Sequence, residues 1–257
     1  MYKKILILWF ILFLGFGFSQ ATSGKAEILI SSVYDNYQTD KDLKSGWGFA
    51  SLIKTPQDMI LFDTGGDLEK LLFNMQKMEI NPDSINKVFI SHIHGDHLGG
   101  LEGLLDMNND MTVFIPQSFP NSVNRMILKK GAKFIRIKEP KQILQIIYTT
   151  GEIYGPPQEQ SLIIESHKGL IIITGCAHPG IVKIIEKSIK IINNNKVYLV
   201  LGGFHHPSLS VVSEFRDIGV QKVAPSHCTG DKVRNAFAKE YKKNFIEYGV
   251  GKTIRIK

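Results

Sequence analysis

Ser91-His92-Ile93-His94-Gly95-Asp96-His97-Leu98-Gly99-Gly100 is the stretch on which the fold is read. It follows Lys87-Val88-Phe89-Ile90, an apolar run of strand character. Positions i and i+2 of a strand share a face, so His92 and His94 are expected to point the same way at its end. Gly95 is expected to turn the backbone sharply and swing Asp96 and His97 round to a second position. Three imidazoles and a carboxylate within six residues suit a divalent transition metal, with zinc the default and iron or manganese the alternatives. A single histidine beside a strand is ordinarily a core or surface residue. Four ligand-type groups in an HxHxDH string are not accounted for in that way.

The string resembles the metal motif of the metallo-β-lactamase superfamily. The resemblance implies an α+β fold, an αββα sandwich of two mixed β-sheets with helices outside and metals at one edge. A chain of 257 residues is long enough for one such domain, and 43% hydrophobic with 21% charged residues is ordinary for a globular protein.

Residues 1–19 differ from the rest. Lys3 and Lys4 precede an apolar run over 5–18, which ends in Ser19-Gln20-Ala21. This reads as a secretory signal peptide, with residues 20–257 as the mature domain. The run is shorter than the roughly 20 residues of a membrane span, so no stable membrane association is expected after cleavage, with an uncleaved anchor as the alternative. The expected location is periplasmic or secreted. Net charge is +7, and the lysines are scattered with no aromatic-interleaved basic stripe, so nucleic acid is not an expected partner. Cys176 and Cys228 could pair in an exported chain. Each lies beside a histidine of interest, however, and a disulfide framework would ordinarily use more cysteines.

Two distant stretches align without a gap. Residues 51–65 and 161–175 both begin Ser-Leu-Ile, turn in the middle, run apolar and end Thr-Gly. A helical pattern follows each: Leu68, Leu71, Leu72, Met75 and Met78 share one face of the first. Matching strands come next, Asn86-Lys87-Val88-Phe89-Ile90 and Asn195-Lys196-Val197-Tyr198-Leu199. A strand–turn–strand–helix–strand unit therefore occurs twice, which implies an internal pseudo-twofold with both units delivering their loops to one edge. Elsewhere the pattern predicts strands over 26–33, 111–115, 134–137, 143–148 and 220–224. Helices are predicted over 100–107, 122–130, 210–219 and 232–248.

The superfamily resemblance supplies the remaining ligands. Thr174-Gly175-Cys176-Ala177-His178-Pro179-Gly180 and Pro225-Ser226-His227-Cys228-Thr229-Gly230 are strand-end turns of the kind from which later histidine ligands come. The resemblance implies two divalent metal ions, one on His92, His94 and His178 and the other on Asp96, His97 and His227. Asp63, in Leu61-Phe62-Asp63-Thr64-Gly65, is expected to orient a ligand histidine, with a plain turn-forming aspartate as the alternative. Most two-metal members carry a bridging aspartate where this chain has Gly202-Gly203-Phe204-His205. His205 or His206 is expected to substitute, as a ligand or a proton donor. Asp96 and His205 are the expected catalytic groups, and Trp47, Phe49 and His206 the expected pocket.

Taken together, these motifs, with Tyr34-Asp35-Asn36 and Glu159-Gln160-Ser161-Leu162, resemble the branch of the dihydropterin-(ribofuranosyl)aminobenzene-phosphate synthase-like proteins. The expected export argues against a cytoplasmic pterin pathway. The leading expectation is therefore an exported metal-dependent hydrolase of a small anionic ester, such as a phosphoester. A synthase-like transferase is the alternative, and a β-lactamase or a non-catalytic metal-binding protein are further ones.

Overall fold

The computed structural model describes residues 27–257, and the expected signal segment over 1–19 lies outside them. In chain order the strands and helices are β1 (Ile28–Asp35), β2 (Phe49–Lys54), β3 (Met59–Phe62), α1 (Leu68–Lys77), β4 (Lys87–Phe89), α2 (Gly95–Leu98), α3 (Leu101–Met107), β5 (Thr112–Pro116), α4 (Asn121–Lys129), β6 (Lys133–Ile137), β7 (Lys141–Leu144), β8 (Ile147–Thr149), β9 (Leu162–Ser166), β10 (Gly169–Thr174), α5 (Ile181–Ile192), β11 (Val197–Gly203), α6 (Val211–Ile218), β12 (Lys222–Ser226), α7 (Asp231–Tyr241) and β13 (Thr253–Ile256). The first sheet runs β13-β1-β2-β3-β4-β5-β6 and the second β12-β11-β10-β9-β8-β7.

The repeat seen in the sequence is the repeat of the fold. Strands β2 and β3 pair antiparallel, α1 crosses over, and β4 joins β3 parallel. In the same way β9 and β10 pair antiparallel, α5 crosses over, and β11 joins β10 parallel. Each unit continues with a further parallel strand, β5 beside β4 and β12 beside β11. Both sheets are therefore mixed, and each is buried on its two faces. That is why β3 and β10 read as unbroken apolar runs. Ile60, Phe62, Ile171 and Ile173 enter the layer between the sheets, whereas Leu61 packs toward the helices on the first sheet and Ile172 toward those on the second.

Two predicted elements differ, and one strand was not predicted. Residues 143–148 are not one strand but the hairpin β7–β8, which turns at Ile146 with φ +59°. The helix predicted over 232–248 stops at Tyr241, where Lys242 adopts φ +49°. The chain then brings Tyr248 into the inter-sheet core, where its hydroxyl meets Ser51 Oγ at 2.8 Å. Strand β13 was not predicted. It pairs antiparallel with β1 and alternates Ile254 and Ile256 inward with Thr253 and Arg255 outward. Among the described residues no helix is long and apolar enough to cross a membrane.

Phe62 is fully buried between the sheets, stacked on Phe89 at 5.4 Å and edge-on to Phe49 at 6.0 Å. Phe62→Ala is expected to cost about 3–5 kcal/mol in denaturant unfolding. Leu128→Ala, at an exposed position on α4, is expected to change stability by less than about 0.5 kcal/mol.

Candidate metal centre

The sequence-selected histidines meet where β3, β4, β10, β11 and β12 end. Asp63 follows β3, His92 to His97 follow β4, Cys176 to His178 follow β10, His205 follows β11 and His227 follows β12. Ligand atoms of His92, His94 and His178 lie within 4.8 Å of one another, and so do those of Asp96, His97 and His227. The turn after His94 differs from expectation. His94 is the N-cap of α2, and the helical turn itself carries Asp96 and His97 round. A Cβ on Gly95 would meet nothing within 4 Å, so glycine is not sterically required there.

The imidazoles are oriented from behind. His97 Nδ1 donates to Asp63 Oδ2 at 2.7 Å. Asp63 also accepts from Ser91 N and Ser91 Oγ, both at 2.7 Å. Ser91 Oγ in turn accepts from His92 Nδ1 at 2.9 Å. His227 Nδ1 donates to Asn36 Oδ1 at 2.9 Å. These bonds leave Nε2 of His92, His97 and His227 as lone-pair donors facing inward. His92 Nε2 is 3.1 Å from His94 Nδ1, and His97 Nε2 is 3.1 Å from His227 Nε2. His178 Nε2 is buried without a hydrogen-bond partner. Facing ring nitrogens this close share either a proton or a metal cation, since bare lone pairs would repel. Two nitrogens on one tetrahedral zinc would sit about 3.3 Å apart, from Zn–N bonds of about 2.0–2.1 Å. The residues therefore fit a metal and could form its site.

The charge states of His92, His178 and His227 agree with that use. Burial, then neighbouring histidines, pushes His178 down to about 4. Burial likewise holds His227 at about 4 against the opposing pull of Asp96, and His92 well below the usual range. All three are neutral near pH 7. Burial also opposes charge on His97, but the Asp63 carboxylate outweighs it and raises His97. Burial likewise raises Asp63, against His97 and Ser91. For Asp96, half-buried, burial is overcome by His227 and His97, which hold the carboxyl well below the usual range.

Sequence reasoning gave no role to Asn36, and Glu159 was quoted only as part of a motif. Glu159 is fully buried, and its carboxylate accepts from the backbone N–H groups of Gly175, Cys176, Ala177 and His178 at 2.9–3.1 Å. It holds the turn that presents His178. Five of the nine non-glycine residues with positive φ in the described chain are Asp63, Ala177, His205, His206 and His227. Backbone strain is thus concentrated at this edge.

The expected pocket is only partly formed. Trp47 is 58% exposed with its ring 4.9 Å from that of His227, at the rim of the cluster. Phe49 is fully buried between the sheets against Phe62 and Tyr248 and lines no pocket, because β2 turns it inward. His205 is exposed, with its ring 4.1 Å from that of His178. His206 stands one step back, against Gly230, in a groove with Pro207, Asp231 and Lys232, and joins none of the convergent ligand groups. On the His178 side a cleft of about 320 Å³ is lined by Ile93, Phe119, Pro120 and Tyr154 among others. Cys176 and Cys228 are both free and buried.

Two mixed sheets face to face, with histidines and an aspartate gathered at their common edge, define a metallo-β-lactamase fold. Comparison with known proteins narrows this. The chain is 34% identical over 246 residues to the 7,8-dihydropterin-6-methyl-4-(β-D-ribofuranosyl)-aminobenzene-5'-phosphate synthase of Methanocaldococcus jannaschii, covering 76% of this chain and 84% of that protein. The family model described as Anti-Pycsar protein Apyc1 matches residues 44–166. The structure of Tm1679, titled a metal-dependent hydrolase of the β-lactamase superfamily, superposes with a TM-score of 0.72 at 25% identity, over 88% of this chain and 98% of that one. The metallo-β-lactamase fold protein YhfI from Bacillus subtilis does so with a TM-score of 0.64 at 13% identity, over 90% of this chain and 100% of that one. The chain belongs to the family of the dihydropterin-ribofuranosylaminobenzene phosphate synthase within the metallo-β-lactamase superfamily.

This corrects the expectation of an exported ester hydrolase. That expectation set the synthase aside on the strength of residues 1–19, which lie outside the described chain. The relative matched along most of both chains is named a synthase, which favours the alternative.

Asp63→Asn keeps the shape of the side chain but removes the anion behind His97. It is expected to weaken metal affinity by about 10–100-fold, measured by competition with a chromogenic chelator. Unchanged affinity would show that Asp63 serves only the turn.

Proposed function

We propose that this chain is a metal-dependent synthase of the transferase type. It joins a dihydropterin bearing a 6-methyl diphosphate to the aromatic amine of a ribofuranosylaminobenzene phosphate. The observation that carries this reading is the 34% identity to the named synthase over 84% of its length. In the reaction the amine nitrogen bonds to the pterin methylene carbon, the carbon–oxygen bond to diphosphate breaks, and the amine loses a proton.

Two divalent ions, zinc first for this donor set with iron or manganese as alternatives, would supply the positive charge that binds and neutralises the departing diphosphate. His92, His94 and His178 would hold one ion and Asp96, His97 and His227 the other. Asp96 is the one carboxylate among the six, so the loaded edge attracts anions, which suits a diphosphate and a sugar phosphate. His205 stands exposed beside His178 and takes the amine proton. Two aromatic faces flank the cluster, Trp47 on the His227 side and Tyr154 in the cleft on the His178 side. Each offers a platform for one of the two flat rings.

The test supplies both substrates to the metal-loaded full chain and follows the coupled product and diphosphate. His92→Ala and Asp96→Ala are expected to lower turnover by about 10²-fold or more while far-ultraviolet circular dichroism is unchanged. Release of diphosphate with no carbon–nitrogen product, or full turnover by the alanine variants, would overturn the reading. Trp47→Ala and Tyr154→Ala are expected to raise KM by roughly 2–10-fold with kcat little changed, as loss of a stacking contact requires.

A further inference from the structure

Two divalent positions served by a single carboxylate are short of negative charge, and the segment Gly202-Gly203-Phe204-His205 at the end of β11 supplies none. Nor is there room for it at the first two positions. A Cβ on Gly203 would lie 2.7 Å from Cys228 Sγ, and Gly202 has φ +112°, a conformation that side chains rarely adopt. The volume beside this strand end is taken by the backbone of Thr174 and Gly175 and by the Cys228 sulfur.

Cys176 Sγ joins three of the five convergent ligand groups among the described residues, and every other residue joins at most two. It falls within the 4.8 Å envelope of His92 and His97, of His178 and His205, and of His227 and Cys228. It thus reaches ligand atoms of both triads. Its distance to His97 Nε2 is 3.2 Å, comparable with the 3.1 Å nitrogen pairs that frame the two positions. Its backbone is pinned by Glu159, which accepts from Cys176 N at 3.0 Å. Cys228 differs. Its Sγ accepts from His205 N at 3.3 Å and contacts Cys176 O at 3.6 Å, so the backbone already occupies it.

We infer that Cys176 Sγ is a metal ligand shared between the two positions, a bridging thiolate that replaces a bridging carboxylate. The inference rests on the metal-dependent reading above. Loading releases the thiol proton to solvent, forms a sulfur bond to each ion, and lowers the net positive charge of the edge by one. A thiolate is a soft ligand, and it favours zinc over a hard oxygen-preferring cation.

The test loads the full chain with two equivalents of cobalt(II) and reads thiolate-to-cobalt charge-transfer absorption in the near ultraviolet. Wild type and Cys228→Ser are expected to show the band, and Cys176→Ser and Cys176→Ala to lose it. Should the Cys176 variants fail to fold, X-ray absorption of the zinc-loaded wild type decides. About one sulfur per zinc at roughly 2.3 Å supports the bridge. One sulfur for every two zincs, or none, overturns it, as does a band that survives in Cys176→Ser and vanishes in Cys228→Ser. Two equivalents bound without sulfur defeat the bridge alone and leave the synthase reading intact. A wild type that binds no metal defeats both.

Discussion

The structure depends on one buried anion, the Asp63 carboxylate. It lies at the end of a core strand, is wholly inaccessible, and is satisfied by Ser91 N, Ser91 Oγ and His97 Nδ1. Burying a charge this deeply is costly unless it is hydrogen-bonded, and these three donors engage both of its oxygens. The geometry has consequences in both directions along the chain. Ser91 N ties the loop after β4 to the end of β3, so the HxHxDH string must start at a fixed height above the sheet. Ser91 Oγ relays the constraint to His92, and His97 is held directly. One carboxylate thereby orients a histidine of each triad.

The second unit solves the same problem differently. By the alignment of the two repeats the counterpart of Asp63 is Ile173, an apolar residue of the inter-sheet layer. The anion comes instead from Glu159, which reaches across to cap four successive N–H groups of the turn after β10. Burial pushes Glu159 up, while the Ala177 and His178 N–H groups draw it back down. A single rigid turn then presents Cys176 and His178. The pseudo-twofold thus delivers loops to one edge from both halves, while the chemistry they carry is not symmetric. The first half brings a dense ligand string, and the second brings isolated ligands on stiff turns.

What was legible in the sequence follows from range. The HxHxDH string, the Thr-Gly strand ends and the repeated unit are local patterns, and the sandwich can be read from them. Long-range partners leave little local trace. Asn36 meets His227 across 191 positions, and Tyr248 meets Ser51 across 197. The helix predicted over 232–248 was extended into a segment that tertiary packing pulls away. Strand β13 offers only four residues of alternation, weak until β1 is present to pair with it. Phe49 was placed in the pocket because it neighbours Trp47. Trp47 precedes β2, and Gly48 between them adopts φ +138°, so the two rings part, Trp47 to the rim and Phe49, the first residue of the strand, to the core.

Local rules also misjudged the glycines, and here the chemistry of the site enters. Gly95 was expected to supply a sharp turn beside four ligands, yet α2 turns the chain there without needing its freedom. Gly202 and Gly203 looked like the loss of a functional side chain. In the structure they make room: the β10 backbone at Thr174 and Gly175, paired tightly with β11, and the Cys228 sulfur fill the space that a side chain on β11 would need. A ligand absent from one strand end and a sulfur present at the next are one packing arrangement. Restoring a carboxylate at Gly202 or Gly203 would require moving the Thr174–Gly175 backbone and, at Gly203, displacing Cys228 as well.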